Sequence, residues 1–187
     1  MRKLFLFFFT IFIISLAGCT STVPLAPRVI ISTPVQLIPS NTPEGTPQCA
    51  WNQGYQSLPD VSQQVQIRLE QDNLPINNVY AEAFGETCLG NSGLVLQFAA
   101  RKTDYSFQFL VDDTSNQAAL ADIIIHTLVV LDQFPVSKTP GSQPGNISIQ
   151  FKSPSNNITI HFARTAGDAA RKEGLTGSAL LQALQRK

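Results

Sequence analysis

The chain begins with an apolar run that is too short to cross a membrane and, because it has no polar face, unlike a helix that packs on a core. The run, Leu4–Leu16, has thirteen residues, and phenylalanine occupies five of the eight positions from 5 to 12. As a helix it would span ~20 Å, whereas the hydrocarbon core of a bilayer is ~30 Å thick. Its aromatic residues leave no polar face and no helical period. Because Arg2 and Lys3 precede the run, the segment is typical of an export signal.

Four residues close this run in the order Leu16-Ala17-Gly18-Cys19. The motif resembles the lipobox of bacterial lipoproteins, in which the cysteine thiol is alkylated with diacylglycerol and the signal is cut just before it. The resemblance implies that residues 1–18 are a signal peptide and that Cys19 becomes the lipidated first residue, with acyl chains such as palmitate. It also implies anchoring at the cell membrane or outer membrane, on the extracytoplasmic face. A plain secretory signal is the alternative.

The charge balance excludes one class of partner. The full chain carries 13 basic and 13 acidic residues. A nucleic-acid-binding protein would normally carry a basic stripe that neutralises phosphates, so we expect no nucleic-acid partner. Without Arg2 and Lys3, the mature chain has 11 basic and 13 acidic residues, a formal charge of −2. Anionic headgroups would attract it little, so its membrane attachment has to come from the lipid.

A proline-rich segment follows, from residue 19 to residue 48. It holds six of the chain's 12 prolines, with frequent Ser and Thr and few charged residues. This composition is typical of extended tethers. Two apolar stretches within it, Val29–Ile31 and Val35–Ile38, are also suited to docking on a sheet edge or groove. The sequence therefore predicts a lipidated cysteine and tether over 19–48 and a globular domain over 49–187.

Two further cysteines, Cys49 and Cys88, belong to the predicted domain. Exported chains meet oxidising surroundings in many cell envelopes, where paired thiols persist as disulfides. We expect a Cys49–Cys88 bridge that ties the start of the domain to the strand containing Gly85. A metal pair is disfavoured, because the spacing is unlike that of paired zinc ligands and the chain has only 2 histidines.

From Trp51 onward the apolar pattern predicts a single α+β domain. The alternation of apolar and polar residues is clearest in a C-terminal hairpin that turns over Lys152–Asn157. Earlier strands are predicted at Val79–Glu86, Gly93–Ala100 and Tyr105–Val111. With three helices added, the predicted order is α-β-β-β-α-β-β-α. We expect a five-stranded, mostly antiparallel sheet with the helices mainly on one face.

Four local features of this domain are specific enough to test. The sequence Ser57-Leu58-Pro59-Asp60 predicts a capping box, in which the Ser57 hydroxyl accepts a hydrogen bond from the Asp60 N–H. The polar run Arg101–Asp104 predicts a tight turn between two strands. A largely buried central helix is predicted over Ser115–Gln133. The last helix is predicted to break near Gly174–Gly177.

Two polar groups near the central helix are candidates for chemistry. The segment Asp112–Asn116 offers oxygen ligands suited to calcium, but it lacks the full alternating ligand spacing and the closing glutamate of a calcium loop. It also immediately precedes the helix, which favours a capping role. Asp122 and His126 lie one helical turn apart and could form an acid–base pair, although a surface contact between them is the simpler interpretation.

The second histidine, His161, is predicted at an exposed strand position, because it alternates with two apolar neighbours. Both histidines could in principle meet Asp104 or Glu86 in a metal site, but no spacing in the sequence requires it. We therefore predict no metal site and no cofactor.

No recognised catalytic or nucleotide-binding motif occurs in the chain. The sequence therefore favours a non-catalytic envelope lipoprotein that presents a small domain to a protein, a glycan or a small ligand. The alternative is an extracytoplasmic hydrolase or metal-dependent enzyme whose site is assembled from distant residues. A deep pocket with a histidine beside a carboxylate would favour the enzyme, and a shallow surface with exposed aromatic rings would favour binding.

Overall fold

A computed structural model describes residues 49–185. The signal peptide, Cys19 and the tether predicted over 19–48 lie outside the described residues. In chain order the elements are β1 (Ala50–Ser57), α1 (Pro59–Gln71), β2 (Ile76–Leu89), β3 (Val95–Leu110), α2 (Gln117–Leu131), a 3₁₀ turn (Val136–Lys138), β4 (Gln143–Lys152), β5 (Asn157–Ala163), α3 (Arg164–Lys172) and α4 (Gly177–Gln185). No helix between residues 49 and 185 has the length and hydrophobicity needed to span a bilayer.

The sheet keeps its strands in chain order, β1-β2-β3-β4-β5. Every neighbouring pair is antiparallel except β3 and β4, which are parallel. A parallel pair needs a crossover connection, and α2 supplies it. The predicted α+β class and the mostly antiparallel five-stranded sheet are therefore confirmed.

The structure divides the first half of the sheet differently from the sequence prediction. The turn predicted at Arg101–Asp104 is wrong, because these residues continue β3 and join two predicted strands into one. A register shift opposite Phe84 and Gly85 accommodates an additional residue there. The edge strand β1 was not predicted, because its sequence is polar and forms a strand only through its pairing with β2 along its full length.

One face of the sheet forms the core. Its buried residues occupy alternate positions along the strands, as a period of two requires. They are Val79, Ala81 and Ala83 on β2, Tyr105, Phe107 and Phe109 on β3, Ile147, Ile149 and Phe151 on β4, and Ile160 and Phe162 on β5. Helices α1, α2 and α4 cover them with buried leucine, isoleucine and valine side chains. The helices thus lie mainly on one face, as predicted.

Helix α1 begins without the predicted capping box. Ser57 is the last residue of β1, and the N-cap residue is Leu58, which makes no side-chain capping bond. Ser62 connects the helix to the sheet instead: its hydroxyl donates to the Leu58 carbonyl at 2.9 Å and accepts from the Ala81 N–H at 2.8 Å. Pairing between β1 and β2 ends at Ser57 and Glu82, and the start of α1 takes up the next backbone group of β2, the Ala81 N–H.

Helix α2 is the central helix, and side chains form hydrogen bonds with backbone groups at both of its ends. Asn116 accepts a hydrogen bond from the Ala119 N–H at its start. At its end, the buried Arg164 donates to the carbonyls of Leu131 at 2.5 Å and Phe134 at 3.0 Å. A guanidinium at a helix C-terminus is favoured by the helix dipole, so Arg164 stabilises this end of the helix.

The C-terminal helix breaks where it was predicted to break. Helix α3 ends at Lys172 and α4 begins at Gly177. Gly174 between them has a φ of +70°, which a residue with a side chain rarely adopts.

Candidate binding face

Among the residues that the structure describes, no helix covers the face of the sheet opposite the core. We define the open sheet face by the residues that alternate with the core positions on β2 to β5. These are Asn78, Tyr80, Glu82, Phe84, Lys102, Asp104, Ser106, Gln108, Ser148, Gln150, Thr159 and His161. All are exposed or half-buried. An antiparallel sheet commonly leaves one face in water, and that face is then polar.

Strand register aligns these polar groups in rows that cross four strands. One row contains Tyr80, Ser106, Ser148 and His161. A neighbouring row contains Asn78, Gln108, Gln150 and Thr159. Within this second row, the Gln108 amide nitrogen donates to the Gln150 amide oxygen at 2.6 Å. Residues paired across strands in this way lie close enough for one ligand to contact several of them.

Two shallow depressions occupy the open sheet face. One, of about 370 Å³, is lined by residues that include Glu82, Asp104, Asn146 and His161. The other, of about 290 Å³, is lined by residues that include Tyr80, Gln108, Gln150 and Thr159. Ser106 and Ser148 line both. The two depressions therefore adjoin, and together they run along the rows of polar groups.

Asp104 is the most constrained carboxylate of this face. Its carboxylate accepts a hydrogen bond from the Asn146 backbone N–H at 2.6 Å. It also forms an ion pair with the Lys102 ammonium at 3.0 Å. The close approach depends on Gly145, because a Cβ at that position would lie 1.9 Å from the Thr103 carbonyl oxygen and 2.6 Å from the Asp104 carboxylate. Asp104 therefore helps to hold β3 and β4 together, which leaves less of its carboxylate for a ligand.

Aromatic rings border the open sheet face on the side of β1 and β2. The rings of Tyr55 and Phe84 pack with their centroids 5.0 Å apart, and the Lys102 ammonium lies 5.2 Å from the centroid of Phe84. Tyr55 is 63% exposed and Tyr80 is 42% exposed. Exposed rings offer an apolar surface with a polar hydroxyl at the tip, a combination that binding sites use often.

His161 is exposed on β5, as predicted. It shares a depression with Asp104 and Glu82, yet the strands keep them apart: neighbouring strands lie ~4.8 Å apart, which separates the backbone of β5 from β3 by ~10 Å and from β2 by ~14 Å. Glu86, the other carboxylate considered, pairs with Arg101 instead. Between residues 49 and 185, no three His, Cys, Asp or Glu side chains are grouped as a metal site requires.

The polar groups near α2 lie away from the open sheet face. Asp122 and His126 are both exposed on the helix, which covers the opposite face of the sheet. In the segment Asp112–Asn116, Asn116 caps the helix and Asp113 accepts hydrogen bonds from the Ser115 N–H and hydroxyl, each at 2.8 Å. These bonds, the backbone one above all, lower the pKa of the Asp113 carboxyl. The contacts are those of a helix start.

Cys49 and Cys88 lie at disulfide distance, with 5.1 Å between their Cα atoms. Cys49 directly precedes β1, and Cys88 lies near the end of β2, so the pair joins these strands at one end of the sheet.

Sequence reasoning missed the rows of polar groups and the aromatic border. Gln108 and Gln150 are ordinary polar residues in predicted strands, and only strand register shows that they are neighbours. The available signal was the alternation itself, since it assigns both glutamines to the face opposite the core.

Comparison with known proteins identifies no relative: no protein-family model, no curated protein and no solved structure matches this chain.

Proposed function

We propose that this protein is a bacterial lipoprotein, anchored through Cys19, whose domain binds a glycan of the cell envelope on its open sheet face without catalysis. The anchor is supported by the export signal and the lipobox-like Leu16-Ala17-Gly18-Cys19. An envelope location agrees with two cysteines at disulfide distance, because such pairs persist as disulfides in oxidising compartments.

The observation that carries the binding function is the combination of polar rows with exposed aromatic rings on one uncovered face. A solvated sheet face would be polar without further cause. It would not require Tyr80 to expose its ring in the row next to the hydrogen-bonded amides, or Tyr55 to expose its ring at the edge of the same face. A protein partner would be expected to bury a larger apolar surface at the centre of its contact, whereas the centre of this face is polar.

A glycan suits this surface for chemical reasons. Its hydroxyl groups both donate and accept hydrogen bonds, as do the amides of Gln108 and Gln150 and the hydroxyls of Ser106 and Ser148. The C–H side of a sugar ring can pack on an aromatic ring such as that of Tyr80. The long, shallow shape of the adjoining depressions accommodates a chain rather than one compact molecule.

The test is calorimetric titration of the detergent-solubilised mature protein with soluble glycan strands released from the bacterial cell wall. Gln150→Ala and Tyr80→Ala should each weaken binding about two- to tenfold, the range expected for one lost hydrogen bond or packing contact. Gln182→Ala is the matched control, because Gln182 is exposed on α4. If parent and control bind no tighter than the two variants, the open sheet face is not the binding site.

The alternative of a hydrolase or metal-dependent enzyme gains no support from the geometry. Such an enzyme needs an acid–base pair or a ligand cluster, and His161 contacts neither Asp104 nor Glu82. No observation on the described residues favours it over binding.

A further inference from the structure

Three consecutive exposed apolar residues follow the turn of the hairpin between β2 and β3, and the turn itself contains the exposed polar residues Asn91 and Ser92. Leu94 is 67% exposed, Val95 62% and Leu96 54%. We call these three residues the apolar tip. In most strands one of two successive residues is covered by the core or by a neighbouring element. Here both sides are exposed, because β4 pairs with β3 only from Lys102 onward and no helix between residues 49 and 185 packs on the tip.

The hairpin turn itself is well defined, so these residues are presented by an ordered structure. The Gly90 N–H donates to the Leu94 carbonyl at 2.9 Å, and the Gly93 N–H donates to the Gly90 carbonyl at 2.8 Å. Gly93 has a φ of +76°, which the turn requires and which glycine adopts readily.

Trp51, on the edge strand, is a further exposed apolar side chain at the same end of the sheet. It is 48% exposed and pairs in register with Cys88, which pairs in turn with Gln97, the residue after Leu96. No charged residue occurs between Thr87 and Ala100. A group of exposed apolar side chains without a charged neighbour in the chain marks a contact with another molecule or with a membrane.

The position of the apolar tip indicates that it contacts a membrane rather than another protein. Cys49 lies at disulfide distance from Cys88, at the same end of the sheet as the tip. The 30 residues from Cys19 to Gln48 therefore join the domain at the end that carries the tip. If Cys19 is acylated, the bilayer lies at the other end of that segment. The polar residues that flank the tip, Asn91, Ser92 and Gln97, are uncharged, so they can remain among the lipid headgroups while the apolar side chains reach the outer hydrocarbon.

We propose that the apolar tip and Trp51 insert into the outer part of the lipid bilayer and dock the domain on the membrane. The inference rests on the proposed anchor for the nearness of the membrane. Membrane binding of this kind combines two attachments. The acyl chains hold the protein at the membrane surface, and the tip, which the anchor keeps at high local concentration there, adds further lipid contacts. Because the tip is uncharged and the mature chain is slightly acidic, insertion should not depend on anionic lipids.

The experiment uses the mature lipidated protein reconstituted in phosphatidylcholine vesicles. Trp51 is the single tryptophan of the chain, so its fluorescence reports on the end of the sheet that carries the tip. Vesicles with brominated acyl chains should quench Trp51 at least twofold relative to the same protein in unbrominated vesicles. The quenching should change less than twofold when a third of the lipid is replaced by phosphatidylglycerol.

Two variants identify the residues responsible. Leu94→Ser combined with Leu96→Ser should abolish the quenching, whereas the control Ile67→Ser, at an exposed apolar position of α1, should retain it. Unchanged melting temperatures would show that both variants are folded. Lack of quenching in the parent, or equal quenching in the double variant, would overturn the proposal. Oligomers that dissociate on the double substitution, with Trp51 unquenched, would assign the tip to contact between copies.

Failure of the anchor can be told apart from failure of the tip. If mass spectrometry shows that Cys19 carries no lipid, the anchor is wrong, and the same quenching measurement is made with that protein added to the vesicles. Quenching that the double variant loses would then still support the tip as a lipid contact. Because the tip relies on the anchor for local concentration, absence of quenching in unlipidated protein would overturn the proposal together with the anchor, whereas absence of quenching in acylated protein would overturn the tip alone.

Discussion

At the scale of single residues, the buried polar groups are the most informative. Tyr105 is 2% exposed, and its hydroxyl makes no hydrogen bond of normal geometry, although Thr139 and Arg164 are nearby. Burial raises the pKa of this phenol, and the positive charge of Arg164 partly opposes the shift. A hydroxyl without a partner in the core costs free energy, so we expect Tyr105 to reduce the stability of the fold.

Tyr105→Phe should therefore increase the free energy of unfolding by about 1 kcal/mol, because it removes an unsatisfied hydroxyl and keeps the ring. It should also reduce the loss of stability at high pH. The unfolded phenol ionises near pH 10 and the folded one at higher pH, so stability falls as the pH rises above about 10. Urea unfolding at pH 7 and at pH 10.5 measures both effects. Tyr80→Phe, at an exposed position, is the control, and destabilisation by Tyr105→Phe would mean that the hydroxyl is hydrogen-bonded to Thr139.

Ile124→Asp should destabilise the domain by several kcal/mol, because Ile124 is fully buried on α2 and an unpaired charge there loses its hydration. Val129→Asp is the matched control: it makes the same chemical change on the same helix, at a side chain that is 46% exposed. Thermal unfolding compares the two variants. A similar loss of melting temperature in both would show that helix propensity, rather than burial, determines the effect.

At the scale of elements, the first strand depends on its partners more than on its own sequence. β1 has little apolar content, and it is held at the edge of the sheet by its pairing with β2, the Tyr55–Phe84 ring contact and the Cys49–Cys88 contact. Arg164 plays a comparable role for α2, since its guanidinium satisfies the carbonyls at the end of that helix.

We expect Cys49 and Cys88 to form a disulfide in protein isolated from the cell envelope. The two cysteines are 39 residues apart, and closing a loop of that length contributes up to about 4 kcal/mol in the chain-entropy account. Non-reducing peptide mapping should find one crosslinked fragment. Cys49→Ser with Cys88→Ser should lower the free energy of unfolding by up to that amount, and two free thiols in the isolated protein would contradict the prediction.

At the scale of the whole molecule, the proposals assign different surfaces of one domain to different tasks. The covered face of the sheet holds the core, the open sheet face binds a ligand, and the apolar tip contacts lipid. The tip lies at the end of the sheet where the chain enters the domain, so docking there would leave the open sheet face beside the membrane and accessible from the envelope.

Attachment through Cys19 has its own test. Cys19→Ala should leave an unacylated precursor that still carries its signal, because the thiol that receives the lipid is absent. Labelling with radioactive palmitate and measurement of the chain's mass compare parent and variant. If the variant matures to the same mass as the parent and fractionates with it, the protein is not anchored through this residue.

The sequence alone determined which residues face the core and where the last helix breaks. Alternation assigned Tyr105, Phe107 and Phe109 to one face and His161 to the other, and glycine chemistry located the break before α4. These features are local, because the alternation of apolar and polar residues and the backbone preferences of glycine are both apparent within a few residues. They were sufficient to predict the α+β class and a sheet covered mainly on one face.

Only the tertiary structure decided how these elements are joined. The run Arg101–Asp104 has the composition of a turn, yet it continues β3, since pairing with β2 and β4 satisfies its backbone and Lys102 and Asp104 lie on the open sheet face. Ser57 resembles a helix cap but ends β1. The rows on the open sheet face likewise depend on register between distant strands. Alternation determines which face each residue joins, but the register between strands far apart in the sequence, such as β3 and β4, is decided only when they pair.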